Sequence, residues 1–284
     1  MRFLFSMVCM LVFTVQTFSQ ELKNFQWFDA NGKKTTTEKL IKEALKTEVV
    51  LFGEYHNNPI CHWLQLKLTQ SLLAKAPLVL GAEMLEADNQ KVLNDYLNGT
   101  ITQKGLDTLA RLWSNYKTDY KPLVDFAKEK QLPFVATNIP RRYASMVFKN
   151  DFASLDALTI EEKSWIAPLP IPFDIQLPGY QNMLQMMGGH AGEKMPKAQA
   201  IKDATMAHFI LQNLQAKGVF LHFNGTYHSD NYEGISWYLQ QYRKGTKILT
   251  IATVEQSQLN QLEKEHLKKA DYILVIDQDM TKTY

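Results

Sequence analysis

The stretch EVVLFGEYHNNPICH, residues 48–62, decides the fold. Its opening run is almost continuously apolar, as expected for a strand that is covered on both faces of a parallel sheet. The run stops at Gly53. A carboxylate, a phenol and an imidazole follow at once, at Glu54, Tyr55 and His56. A buried strand that ends in ionisable side chains indicates a binding or catalytic site beyond the strand end.

Five later runs have the same short, apolar character. The six predicted strands are residues 48–52, 77–83, 133–138, 219–225, 247–253 and 271–277. Helical segments are predicted between them, at residues 59–75, 86–98, 121–131, 139–149, 196–217 and 231–243. This alternation predicts an α/β fold with a mainly parallel sheet flanked by helices, and with a smaller helical lid or insertion.

Two segments interrupt the alternation, around residues 86–120 and 150–195. The first is rich in aromatic residues, and the second contains the proline-rich sequence PLPIPFDIQLP before a run of methionines. A proline-stiffened loop that leads into a methionine-rich helix is typical of a lid over the strand ends. The alternative is a surface insertion without a role in the site.

The composition and the N-terminal sequence predict an exported protein. Residues 1–19 combine an arginine, an apolar run and small polar residues, which is typical of a secretory signal peptide; an N-terminal anchor is the alternative. Residues 20–284 are of a size for one domain and contain no transmembrane segment. A net charge of +2 argues against nucleic-acid binding. Only Cys61 remains after cleavage, so no intrachain disulfide is expected.

Polar side chains follow four of the predicted strands. In chain order they are Glu54, His56, Glu83, Asn138, Arg141 and His228. Because the carboxyl ends of parallel strands meet at one edge of a sheet, we expect these side chains to share a pocket. The alternative is purely structural pairing, of His56 with Glu54 and of Arg141 with Glu83.

One stripe of the predicted helix 196–217 carries, at helical spacing, Gln199, Asp203, Met206 and Ile210. An amide and a carboxylate on an otherwise apolar stripe predict that the helix faces a polar cavity. The alternative is a first turn that is exposed to water.

Methionines are concentrated between residues 183 and 206, and Met187 lies close to His190 and Tyr180. Methionine suits adaptable apolar binding surfaces, so this segment is consistent with a flat ligand such as a porphyrin. Ordinary core packing is the alternative for each methionine.

Five ordered blocks of the sequence resemble the ChaN-like haem-binding family, which is grouped with Tiki, TraB and erythromycin-esterase proteins. The blocks are GEYHNNPICHWLQLKL, LVLGAEMLEADNQ, YKPLVDFAKEKQLPFVATNIPR, MPKAQAIKDATMA and NGTYHSDNYEGI. The resemblance runs from about residue 26 to residue 253. It implies an α/β fold with a smaller helical part, export to the periplasm or association with the outer membrane, and a link to iron acquisition.

The resemblance also implies a ligand and an assembly. The family binds two haems face to face at a dimer interface with a tyrosine as iron ligand. This implies haem as cofactor and a homodimer, with Tyr143, Tyr180 and Tyr232 as candidate iron ligands. Under this interpretation the strand-end cluster would handle released iron or the haem propionates, where the guanidinium of Arg141 suits a carboxylate.

The Tiki branch of the superfamily implies a different function, a metal-dependent hydrolase acting on another small-molecule or peptide substrate. There His56, His228 and Glu83 would hold a divalent metal ion and Glu54 would act as base. In the esterase branch, by similarity, His56 would activate water without a metal. A domain that only binds a partner is a third reading.

Overall fold

A computed structural model describes residues 23–186 and 192–284 of the chain. The predicted signal peptide, Met187 and His190 lie outside these residues. Within the described residues seven strands form one sheet. They are β1 Phe25–Asp29, β2 Val49–Glu54, β3 Leu78–Glu86, β4 Phe134–Asn138, β5 Val219–Gly225, β6 Ile248–Gln256 and β7 Tyr272–Asp277.

The sheet has the order β1-β7-β6-β2-β5-β3-β4. Strand β1 runs antiparallel to β7, and every other neighbouring pair is parallel. The predicted α/β fold and its mainly parallel sheet are therefore confirmed. Sequence patterning missed β1, which is an edge strand held by its pairing with β7.

Helices connect the strands. Those of the described residues are α1 Thr37–Ala44, α2 Pro59–Leu73, α3 Gln90–Leu97, α4 Gln103–Leu109, α5 Lys121–Lys130, α6 Arg141–Asn150, α7 Ile160–Lys163, α8 Pro178–Met186, α9 Lys194–Gln212 and α10 Ile235–Tyr242. Helix α2 begins sharply because the Asn58 side chain accepts hydrogen bonds from the backbone N–H groups of Ile60 and Cys61. Among these described helices, none combines the length and the apolar character needed to cross a membrane.

The sheet separates two apolar cores. Along β2, Val50 and Phe52 pack into the core that contains residues of α1 to α5, whereas Val49 and Leu51 pack into the core of α6, α9 and α10. Each fully buried side chain of this kind contributes about 1.5–3 kcal/mol through removal from water. This two-sided burial explains why the strand runs are continuously apolar.

The two predicted insertions differ in position. Residues 86–120 contain α3, α4 and a π-helical turn at Tyr116–Tyr120. The described part of 150–195 contributes Ile166, Ile171 and Tyr180 to the second core. The apolar side chains of the described part of that segment pack on the face of the sheet that carries the second core, and Gly179 donates a backbone hydrogen bond to Glu233, in the loop after β5. The strand ends are flanked by the 86–120 segment.

Candidate functional site

The carboxyl ends of β2, β3 and β5 lie side by side in the sheet. Glu54 pairs in register with Gly225, and Ala82 with Phe223, so Glu83 lies next to the end of β5. Gly53 lies inside β2, where a Cβ atom would be only 2.8 Å from the carbonyl oxygen of Ile251. Glycine is needed there for the close approach of β6, and the strand continues to Glu54.

Glu54 and His56 form a hydrogen-bonded pair. The Nδ1 atom of His56 lies 2.9 Å from Oε1 of the buried Glu54 carboxylate. The Tyr120 hydroxyl donates to the same oxygen at 2.7 Å, and the Gln65 amide donates to Oε2. The carboxylate is thus satisfied by three partners, and the His56 ring is held by its Nδ1 side. The indole of Trp113 packs against that ring at 4.8 Å between centroids.

The Nε2 atom of His56 faces the opposite direction. No hydrogen bond to Nε2 is found within residues 23–186 and 192–284. A Cβ atom on Gly225 would lie 2.8 Å from this nitrogen and 3.4 Å from Oε2 of Glu83. Burial opposes a charge on this imidazole, but the hydrogen bond that its Nδ1–H donates to Glu54 and the charge of Glu83 raise the pKa of His56. His56 therefore offers an oriented nitrogen near a second carboxylate.

A second buried network surrounds His228. Its Nε2 lies 3.1 Å from Oε1 of Glu83, and its Nδ1 lies 2.5 Å from Oδ1 of Asp203. The other oxygen of Glu83 accepts the backbone N–H of Gly225 at 2.7 Å. The Gln199 amide lies 2.8 Å from Nδ1 of His228. Helix α9 thus brings both of its predicted polar residues to the imidazole.

The charges of this network follow from its geometry. Burial opposes a charge on His228, but the carboxylates of Glu83 and Asp203 outweigh it and raise the pKa of His228 to about 10. Burial likewise opposes ionisation of Glu83, and the neighbouring imidazolium holds its pKa well below the usual range. Burial raises the pKa of Asp203 despite the opposing effect of His228. At neutral pH, His228 is an imidazolium between two acidic groups.

This arrangement does not fit a divalent metal ion held by His56, His228 and Glu83. In the described residues the ligand atoms of these three side chains do not all lie within 4.8 Å of one another. In the described part of the chain, the one group of three donors close enough for a shared ion is Glu263, Glu265 and His266 on the surface.

Two clefts open beside the strand ends. The strand-end cleft, of about 430 Å³, is lined by residues that include Glu54, Tyr55, His56, Tyr227, Glu255 and Tyr284. The arginine cleft, of about 730 Å³, is lined by residues that include Glu86, Arg111, Trp113, Arg141, Arg142 and Tyr284. Tyr284 lines both, so the two clefts are neighbours.

Arg141 lies in the arginine cleft and does not pair with Glu83. Within the described residues its side chain has no ion pair or hydrogen bond, because Glu83 is already bound by His228 and by the backbone at Gly225. Asn138 reaches Glu83 through the backbone, since its amide donates to the Glu83 carbonyl oxygen at 2.9 Å. The alternative interpretation, a structural pair of Glu83 with Arg141, is therefore wrong.

The three tyrosines predicted as iron ligands lie in different surroundings. Tyr143 is buried, and its hydroxyl accepts from Arg142 at 2.9 Å and donates to Glu162 at 3.0 Å. Tyr180 is buried in the second core. Tyr232 is partly exposed, and its hydroxyl donates to Asp271 at 3.3 Å. None of the three lines the strand-end cleft or the arginine cleft.

Sequence reasoning missed several residues around Glu54. Gln65 and Tyr120 donate to its carboxylate, and Asn115 donates to the His56 carbonyl oxygen at 3.0 Å. The many aromatic residues of 86–120 indicated that this segment is buried, but the sequence does not show which of its side chains contact Glu54 and His56. Tyr284 is separated from the strand ends in sequence and carried no signal at all.

Several solved structures share this fold. None of the curated proteins compared matches the chain. ChaN of Campylobacter jejuni, solved for its cofacial haem binding, is 20% identical with a TM-score of 0.67, covering 90% of this chain and 98% of that one. A succinoglycan biosynthesis protein is 9% identical with a TM-score of 0.53, covering 84% and 90%. A Bacillus cereus protein is 11% identical with a TM-score of 0.51, covering 89% and 95%. At these identities the likenesses establish the fold alone.

The sequence itself is matched by a family model. That model, described as haem-binding uptake, Tiki superfamily, ChaN, covers residues 40–239. The matched range contains all four strand ends that carry the candidate site. The resemblance found in the sequence is thereby confirmed, and this chain belongs to the ChaN family of haem-binding uptake proteins within the Tiki superfamily.

Proposed function

We propose that this protein binds haem after export and serves haem or iron acquisition. Membership of the ChaN family supports the ligand, and the fold is shared with the Campylobacter jejuni protein whose description names cofacial haem. The structural observation that carries the proposal is the strand-end cleft, where the phenols of Tyr227 and Tyr284 lie beside the imidazole of His56. Phenolate and imidazole are both side-chain ligands of haem iron.

Accessibility decides which phenols suit this role. Tyr227 and Tyr284 are 70% and 66% exposed, whereas Tyr143 and Tyr180 are almost fully buried. A flat ligand reaches the first two without displacing core residues. When bound, haem would supply an iron that takes one oxygen or nitrogen ligand from the protein. We therefore propose Tyr227 or Tyr284 as the iron ligand, with Tyr232 the most accessible of the three tyrosines predicted from the sequence.

Haemin titration tests the proposal. The wild-type protein is expected to give a saturable visible spectrum of the tyrosinate type, and replacing the ligating phenol by Tyr227→Phe or Tyr284→Phe is expected to abolish that spectrum. Tyr242→Phe is the matched control, since Tyr242 lines neither of the two clefts. Absence of a saturable spectral change in the wild type would overturn the proposal.

The proposal includes processing, location and assembly. Residues 1–19 direct export and are removed, and residues 20–284 form one domain in the periplasm or at the outer membrane. Two copies associate so that their haems face each other. N-terminal sequencing of the protein from fractionated cells tests the removal of residues 1–19 and the location. Sedimentation with and without haemin tests the association of two copies, and a monomer under both conditions would contradict that association.

A second function is favoured by the pairing of Glu54 with His56. The carboxylate holds Nδ1, so Nε2 is left to accept a proton from a water molecule at the cleft. The buried His228 imidazolium and Glu83 lie close behind it. We propose metal-independent ester hydrolysis as this alternative. A chromogenic ester assay is expected to show a loss of about 10²–10⁴-fold in His56→Ala. Equal rates for the variant and the wild type would exclude it.

A further inference from the structure

The arginine cleft is a second pocket beside the proposed haem site. It has a volume of about 730 Å³, within the range of small-molecule pockets, and shares the Tyr284 wall with the strand-end cleft. Three of its lining residues are Arg111, Arg141 and Arg142. Its chemistry differs from that of the strand-end cleft, whose lining, in the described part of the chain, combines three tyrosines, two glutamates, a histidine and a lysine and contains no arginine.

Two of the three guanidinium groups are fixed in place. Arg111 Nε donates to Glu86 at 2.8 Å, and Arg142 Nη1 donates to Asp88 at 2.6 Å. Arg111 also donates to Asp88, so this buried carboxylate joins both arginines. The guanidinium of Arg142 further stacks on the ring of Tyr143, 4.3 Å from its centroid. These contacts hold two cationic walls of the cleft in a defined geometry.

Arg141 is the third guanidinium and differs from the other two. Within residues 23–186 and 192–284 it has no ion pair or hydrogen bond from its side chain, and it is exposed at the first residue of α6. Three arginines therefore face two carboxylates, Glu86 and Asp88, and one positive charge is left uncompensated. An unpaired guanidinium can take a carboxylate through two parallel hydrogen bonds.

An aromatic wall connects Arg141 with the strand ends. Trp113 lines the arginine cleft and packs edge-on against His56 at 4.8 Å and against Tyr120 at 6.1 Å. Asn115, which also lines the cleft, donates to the His56 carbonyl oxygen. One planar molecule in the arginine cleft therefore has an aromatic surface at Trp113 and a cation at Arg141, and the indole of Trp113 also contacts His56.

We infer that the arginine cleft is a carboxylate subsite, in which Arg141 binds the anionic edge of a planar aromatic ligand. The inference rests on the proposed haem-binding function, since haem belongs to this class of ligand and carries its two carboxylates on one edge. The ion pairs of Arg111 and Arg142 with Glu86 and Asp88 leave one net positive charge at the cleft, and Arg141 makes the direct contact. Trp113 supports the ring system between this subsite and the strand ends.

Esterification of the ligand removes its two carboxylate charges and keeps its ring, so it separates the contribution of the anionic edge to the affinity from that of the ring. We compare the affinities of the full chain for haemin and for haemin dimethyl ester. Arg141→Gln is expected to weaken haemin about ten- to a hundredfold, as for loss of a charged hydrogen bond, and to leave the ester unchanged. Arg141→Lys is expected to be intermediate, because it keeps the charge and loses the bidentate geometry. Arg243→Gln is the matched control, since Arg243 pairs with Glu48 away from both clefts.

The outcomes distinguish the subsite from the haem site. Unchanged haemin affinity in Arg141→Gln, or an equal loss for haemin and its ester, would overturn the carboxylate subsite while haem binding stands. If neither compound binds the wild type, the proposed function fails. Calorimetry with phthalate, an aromatic dianion without iron, then tests the subsite alone. Phthalate binding that Arg141→Gln abolishes supports the subsite, and absence of binding to the wild type overturns it.

Discussion

The Nδ1 atom of His228 lies 2.5 Å from Oδ1 of Asp203, and both side chains are buried. The two residues come from different elements, because His228 follows β5 and Asp203 lies on α9. With Glu83 on the other nitrogen, the imidazolium joins the end of β3, the end of β5 and a helix of the second core. This network fixes the back wall of the candidate site.

Asp203→Asn is expected to destabilise the protein and to lower the pKa of His228. Asparagine leaves the buried imidazolium with Glu83 as its charged partner, and loss of a hydrogen bond to a charged group costs about 1.5–3 kcal/mol. Urea unfolding measures the free energy of unfolding, and a histidine-selective NMR titration measures the pKa. Asp107→Asn is the control, since Asp107 is exposed on α4. An unchanged His228 pKa in Asp203→Asn would contradict the role assigned to this pair.

The free energy of unfolding is expected to fall as the pH rises above neutrality. The folded pKa of His228 is raised to about 10, whereas an unfolded histidine titrates near its ordinary value. The stabilisation is fully present below about pH 6.5 and declines by about 1.4 kcal/mol per pH unit until the folded pKa is passed. Glu83 affects the free energy of unfolding at acidic pH instead, because the stabilisation from its lowered pKa is lost as the pH falls.

Urea unfolding at a series of pH values measures this dependence. His228→Gln cannot gain or lose the proton, so its free energy of unfolding is expected to vary less above neutral pH than that of the wild type. Identical slopes for the two proteins would show that His228 is not held as an imidazolium.

Tyr120→Phe is expected to lower the free energy of unfolding by about 1.5–3 kcal/mol, the range for a hydrogen bond to a charged group. The Tyr120 hydroxyl donates to the buried Glu54 carboxylate at 2.7 Å, and phenylalanine leaves that oxygen with one donor fewer. Thermal or urea unfolding provides the measurement. In Tyr242→Phe, by contrast, stability should be unchanged or slightly increased. The buried Tyr242 hydroxyl has no hydrogen-bond partner in the described parts of the chain. Equal losses in both variants would refute the specific role of the Tyr120 hydroxyl.

Gln90→Ala is expected to loosen the outer edge of β4. The Gln90 amide donates to the Phe134 carbonyl oxygen at 3.0 Å and accepts the Ala136 N–H at 2.6 Å, as a neighbouring peptide group would. Leaving these two groups without a partner costs about 1–3 kcal/mol. Hydrogen exchange at the Ala136 amide should accelerate in Gln90→Ala and stay slow in Gln176→Ala, whose side chain is exposed. Unchanged exchange in Gln90→Ala would contradict this role.

The sequence by itself determined the six parallel strands and most of the helices between them. Strands that are buried on both faces must be continuously apolar, so residues such as Val49 to Phe52 carry an unmistakable pattern. It also determined that Glu54, His56, Glu83 and His228 meet at one edge, because the carboxyl ends of parallel strands lie together. Family membership followed from the ordered blocks around those strand ends.

Only the tertiary structure decided which of these groups are partners. Glu83 binds His228 and leaves Arg141 unpaired, and the exposed phenols at the cleft are Tyr227 and Tyr284. Periodicity places a residue on an element or a face, but pairing depends on distances of a few tenths of an ångström between elements remote in sequence. Hydrogen bonds and ion pairs act at that range, so patterns along the chain cannot rank competing partners.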